Sequence, residues 1–127
     1  MGIKMEIFFY RYGSICEPDV LNAFQSLGFK VTEEKSEIIN KDIIPADCIS
    51  LVSPILTSHK FQFAFTINFF PWLSEVCNIL NIPYLSLIVD SPVLELYSNS
   101  IKNDCNRMFL FDRVLFEEFS PYNPNGI

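Results

Sequence analysis

Glycine is scarce in this chain, with four residues in 127, and none belongs to a GxGxxG run or to a GxxxxGKS or GxxxxGKT loop. Both loops use glycines so that backbone N–H groups can close around phosphate, so the two common nucleotide cradles are excluded. Histidine occurs once, at His59. The four cysteines, Cys16, Cys48, Cys77 and Cys105, stand about thirty residues apart with no CxxC pair and no histidine close by. That spacing supports neither a zinc site nor a dithiol redox motif, and the thiols read as buried and reduced. Positive charge is also short. Nine Lys and Arg face fifteen Asp and Glu, for a net charge of -6, and the nine are scattered, which argues against a nucleic-acid partner because phosphate contacts need clustered cations.

Two further absences concern the membrane. The opening MGIKMEIFFYRYG has one lysine and a short apolar run but no small-residue cleavage site, so it is not a signal peptide. The richest apolar stretch, Phe61 to Leu80, is interrupted by Gln62, Asn68, Pro71 and Glu75, which excludes a plain membrane span. A cytoplasmic, soluble domain is the expectation.

What the chain does have is apolar content, 50% of residues, enough for one core in a single domain spanning residues 1–127. Two periods alternate along it. MEIFFY (5–10) is a short apolar run. From Glu17 onward Val20, Phe24 and Leu27 recur at helical spacing, with Pro18 suited to the first turn and Gly28 to the end. FKVTE (29–33) predicts a second strand, followed by a polar connection through Asn40-Lys41-Asp42. A helix from Pro45 carries Cys48, Ile49, Val52 and Leu56 on one face, and Pro54 is expected to kink or shorten it. FQFAFTI (61–67) predicts the third strand. After it, Leu73, Val76, Cys77 and Leu80 fall at i, i+3, i+4 and i+7 of a helix opened by Pro71 and closed by Asn81 and Pro83. Residues 84–89 predict a fourth strand, 92–97 a short helix, RMFLF (107–111) a fifth strand and 114–119 a last helix. Five strands alternating with helices predict an α/β fold: a three-layer Rossmann-like domain, or a flavodoxin-like one, with a mainly parallel sheet.

Open parallel sheets bind ligands beyond the carboxyl ends of their strands. Arg11-Tyr12-Gly13-Ser14 follows the first strand, Asn68-Phe69-Phe70-Pro71 the third, Asp90-Ser91-Pro92 the fourth and Asp112-Arg113 the fifth. Each apolar run gives way to hydrogen-bonding side chains at one edge, and the amino ends show nothing comparable. His59 does not reach that edge, so a Ser-His-Asp arrangement is not expected. Ser91, ahead of Pro92, and Asp112 suit helix capping as well as ligand contact, and Asn68 suits a cap or a turn. Most of the thirteen phenylalanines belong to the core, while Phe69, Phe70 and Trp72 follow a strand end and suit either core or ligand. Asp90 comes one residue too early to cap a helix starting at Pro92; it either pairs with Arg11 or Arg113 or faces the crevice. A carboxylate, two arginines, amides, hydroxyls and aromatic rings are together compatible with polyhydroxylated ligands.

The segments FFYRYGS, INFFPWLSEVCN, IPYLSLIVDSP and RMFLFDR, taken in order from Met5 to about Asn125, resemble the amino-terminal domain that precedes a group 1 type glycosyltransferase domain in bacterial proteins. That domain is related to CgeB-like spore maturation glycosyltransferases. The resemblance implies the first, acceptor-side half of a GT-B enzyme, in which two Rossmann-like domains face each other across a cleft. It implies a sugar acceptor here, a nucleotide-sugar donor held by a carboxyl-terminal domain that this chain lacks, no metal and no cofactor. Asp90 is then the candidate general base, with Asn68 and Ser91 orienting acceptor hydroxyls. The remaining ligand-binding candidates are Arg11, Tyr12, Gly13, Ser14, Phe69, Phe70, Asp112 and Arg113. The isolated half is expected to be inactive and, at a mean hydropathy of +0.25, to self-associate as a homo-oligomer. The alternative is a non-catalytic module of the same fold that binds a small ligand or a protein.

Overall fold

The computed structural model describes residues 5–89, 98–110 and 113–127. The expected short helix at 92–97, and the candidates Asp90, Ser91 and Asp112, lie outside the described residues. Five strands form one sheet: β1 (Glu6–Tyr10), β2 (Lys30–Glu34), β3 (Phe61–Ile67), β4 (Tyr84–Ile88) and β5 (Asn106–Leu110). Their order is β2-β1-β3-β4-β5 and every pairing is parallel. The helices are α1 (Glu17–Ser26), α2 (Ser36–Ile39), α3 (Pro45–Ser58), α4 (Pro71–Leu80) and α5 (Arg113–Phe119), with 3-10 turns at Asn99–Lys102 and Ser120–Tyr122. No helix among the described residues is long and apolar enough to cross a membrane.

Both sheet faces are covered, which is why the central strands β1 and β3 read as mostly apolar runs rather than alternating ones. On one face Phe8, Tyr10, Ala64, Tyr84, Ile88 and Met108 pack with Cys48, Val52 and Leu56 of α3 and Leu73, Val76 and Cys77 of α4. On the other, Phe9, Phe65 and Ile67 pack under Val20, Leu21 and Phe24 of α1. Phe24 meets Phe9, Phe29 and Phe65 edge-on at 5.0–6.3 Å, a geometry that sets each ring edge against a neighbouring ring's face. The register slips where Glu6 pairs with Phe61 and Ile7 with Phe63. That bulge at Gln62 turns Phe61 to the same face as Ala64, although the two are an odd number of residues apart.

The chain leaves β1 outward to β2 through α1, then crosses back to β3 through α3. Connections of one hand that run in opposite directions put their helices on opposite faces. The strand order therefore reverses between β1 and β3, the switch point at whose carboxyl edge folds of this kind commonly take ligands.

Two local details add to the expectations and one corrects them. The polar connection contains a one-turn helix, α2, with Ser36 Oγ bonded to Glu34 Oε1 at 2.5 Å just ahead of it. Helix α3 runs on through Pro54 to Ser58. The proline is on the exposed face, so the carbonyl deprived of its donor meets solvent, and the hydroxyls of Ser53 and Thr57 bond back to Ile49 O and Ser53 O nearby. Ile49 is exposed instead of sharing the buried face, and Ile55 packs against the core in its stead.

The two edge strands differ. β2 carries Lys30, Glu33 and Glu34 in five residues. β5 is flanked by the carboxyl-terminal segment, where Met108 N donates to Gly126 O. A Cβ at Gly126 would lie 2.5 Å from Asn106 O, so only glycine allows this approach.

Candidate functional site

The loop leaving β1 is shaped by a residue outside it. Gly13 has φ +99°, a left-handed turn that aims successive backbone N–H groups at one point. That point is filled by the carboxylate of Glu17, the first residue of α1, which is 0% exposed. Its Oε2 accepts from Tyr12 N at 2.9 Å and its Oε1 from Gly13 N at 3.0 Å and from Arg11 Nε at 3.3 Å. Arg11 also donates from Nη1 to Glu33 at 2.7 Å. Bonding to Glu33 and then to Glu17 raises the guanidinium pKa further above its ordinary value. Arg11 is thus held between two carboxylates. Ser14 turns inward too, its Oγ accepting from Cys16 N at 3.4 Å and its carbonyl from Glu17 N at 3.1 Å. Lys41, from the β2–α3 connection, reaches over the loop to donate to Tyr12 O.

Across the switch point, Asn68 ends β3 with φ +64°, a conformation its short polar side chain tolerates better than most. Its amide Nδ2 donates to Tyr12 Oη at 3.0 Å, its Oδ1 accepts from Val89 N at 3.0 Å, and its backbone N donates to Leu87 O at 2.7 Å. One side chain therefore ties the ends of β1, β3 and β4 together. The next turn is set from below. Thr66 Oγ1 donates to Asn68 O at 2.6 Å, which leaves Tyr84 Oη as donor in its 2.6 Å bond with Thr66, and Tyr84 Oη accepts from Phe70 N at 3.1 Å. Burial pushes the Tyr84 hydroxyl well above its ordinary value of 10.0, so it stays protonated and able to donate.

Aromatic rings border this corner. Phe70 lies 5.3 Å from both Tyr10 and Tyr12 and 6.3 Å from Trp72, and Tyr10 lies 5.0 Å from Trp72. Phe70, Trp72 and Tyr12 are half-buried, so parts of their rings remain open at the edge. Phe69 is different. It is 1% exposed and stacks on Tyr84 at 5.8 Å within the core, which gives it a packing role instead of a surface at the crevice. Tyr10 Oη donates to Glu37 at 2.7 Å and lies 3.3 Å from Cys48 Sγ.

Of the expected site residues, Arg11, Tyr12, Gly13, Asn68 and Phe70 meet around the β1–β3 switch point, with Ser14 beside them. Arg113 follows β5, and its side chain, 90% exposed, pairs with Glu117 one turn along α5 at 3.0 Å. His59 sits at the amino end of β3, with Nδ1 3.6 Å from Glu6. Glu17, Lys41, Thr66 and Tyr84 complete the site unanticipated. The only sequence signal was for Glu17: an acid at a helix start, which ordinarily signifies an exposed dipole partner.

Cavities form away from this edge. One of about 160 Å³ lies between the Asn99–Lys102 turn and Phe119, and an open groove of about 550 Å³ runs along the amino end of β3 past His59 and Lys60. The amino edge is thus not featureless. No group of three or more His, Cys, Asp or Glu able to hold a metal ion occurs among the described residues. No family model, curated protein or solved structure matches the chain.

Proposed function

We propose that this chain is the acceptor-side half of a glycosyltransferase, which presents a hydroxyl-bearing acceptor to a nucleotide-sugar donor held by a second domain. The reading starts from the resemblance carried by INFFP, VDSP and FLFDR. The observation that favours it is the contact of Asn68 with Tyr12 across the switch point, beside the partly open rings of Tyr12, Phe70 and Trp72. Amide and phenol groups next to aromatic faces suit a sugar, whose hydroxyls need donors and acceptors and whose C–H faces pack on rings. Asp90, which follows β4 in the sequence, is the residue proposed to take the acceptor's proton. A positioned base is typically worth about 10²- to 10⁴-fold.

The test is an NMR titration of this chain with mono- and disaccharides and, separately, with a uridine diphosphate sugar. Saturable shifts at Tyr12, Asn68 and Phe70 with saccharides, and no saturable binding of the nucleotide sugar below roughly millimolar, are the expected outcome. Micromolar binding of the nucleotide sugar overturns the assignment to the acceptor side. A second reading, an interaction module, is favoured by two exposed isoleucines, Ile15 at 93% and Ile39 at 85%. Ile15 follows the β1 loop and Ile39 ends α2, two segments that meet where Gly13 faces Ile38 and Lys41. Silent saccharide titrations, together with self-association lost on Ile15→Ser, would select that reading.

A further inference from the structure

We propose that Glu17 is an intramolecular plug in an anion-binding turn, and that it makes the switch-point crevice reject phosphorylated ligands. The turn after the first strand of a doubly wound sheet is where such folds commonly take phosphate, because its backbone N–H groups converge there. This chain retains the convergence. Gly13 supplies the left-handed residue, and the N–H groups of Tyr12 and Gly13 point at one acceptor. These donors belong to the loop, not to the first turn of α1. Arg11 adds a guanidinium on the third side. The acceptor they receive is the chain's own carboxylate, fully buried and held by all three donors.

An incoming phosphate would have to displace a carboxylate whose charge is already matched, and would leave that carboxylate without partners. Breaking such a buried arrangement is strongly unfavourable. The surroundings add repulsion. Glu33 holds the other side of Arg11, and Glu37 accepts from Tyr10 just behind. Two cations, Arg11 and Lys41, therefore stand among three carboxylates, Glu17, Glu33 and Glu37, and Lys41 is spent on Tyr12 O. The ligand class left to the crevice is neutral. This inference stands on the loop geometry and does not need the transferase reading; where both hold, the acceptor brings no phosphate to this turn.

The test is an NMR titration with inorganic phosphate, against sodium chloride at matched ionic strength. In the native chain the Tyr12 and Gly13 amide signals should not shift with phosphate. In Glu17→Ala the same two signals should shift saturably, and phosphate should raise the melting temperature by several degrees, as a ligand of the folded state alone does. Glu17→Ser, which keeps a hydroxyl at the helix start, should behave alike. If neither variant folds in chloride, recovery of the fold on adding phosphate is the expected result. Saturable phosphate shifts at Tyr12 and Gly13 in the native chain overturn the proposal. So does the absence of any phosphate effect on both variants. Saccharide binding is read in a separate titration, with Asn68 and Phe70 as the signals that phosphate does not share, so the two proposals fail separately.

Discussion

Replacing Tyr84 by Phe removes a single oxygen, and the structure says what that oxygen does. It accepts from Phe70 N and donates to Thr66 Oγ1, which in turn donates to Asn68 O. Phenylalanine keeps the ring and its stacking on Phe69, so apolar packing changes little. The main loss is the Phe70 N–H, left in a half-buried site without its acceptor, at about 1–3 kcal/mol. For a chain of this length that corresponds to a fall in melting temperature of about 4 °C per kcal/mol. Chemical denaturation of Tyr84→Phe gives the stability, and amide exchange at Phe70 gives the locality. We expect faster exchange at Phe70 and Asn68 with the central β1 amides still protected. Thr66→Val breaks the same relay from the other end. Because the two residues share a bond, the double variant should cost less than the sum of the singles. Native stability in Tyr84→Phe with unchanged Phe70 protection would refute the claim that the loop is shaped through this hydroxyl.

Gly13→Ala should cost about 1–2 kcal/mol, the penalty for a side chain in left-handed backbone. Its new Cβ would also sit 2.9 Å from Lys41 Nζ and push that amine off Tyr12 O; equal denaturation midpoints for variant and native chain would show that the turn relaxes. Burial pushes the Cys105 thiol to about 11 from its ordinary 9.0. The folded state then keeps a proton that the unfolded chain releases, so this contribution is intact below pH 9 and declines between pH 9 and about 11 as the solution becomes more alkaline. Cys105→Ala should make that decline shallower in thermal melts taken across the window, and an unchanged slope would count against it.

The central strands were legible because burial on both faces writes itself as a mostly apolar run, as in EIFFY and FQFAFTI, and α4 because its apolar residues recur at helical spacing. Ile49 misled because an isoleucine fits either face of a helix, and only packing against the sheet chooses Ile55 over it. The order of the strands had no local signature, so the β1–β3 switch point emerged only from the pairing. The site was legible in part for the same reason. Arg11, Tyr12, Asn68 and Phe70 follow apolar runs and could be located by counting strand ends. Glu17 could not, because burying a carboxylate depends on three donors that converge only after the loop has turned at Gly13. Thr66 and Tyr84 were hidden inside strands, where a hydroxyl looks like one more β-forming side chain.

The treatment of the sheet's borders bears on how this chain meets its neighbours in a crowded solution. An open strand edge is a template on which another chain can continue the hydrogen-bond ladder, and growth of that kind has no natural limit. Here one border, β2, carries closely spaced charges, and the other, β5, already lends Met108 N to Gly126 O. Copies of the chain that associate through exposed apolar side chains would then do so by surface contact, in assemblies of finite size with each sheet still five strands wide. Swapping Gly126 for a bulky residue would detach the segment from β5 and reopen that border, and the change should register as a tendency to form fibres in place of small soluble oligomers.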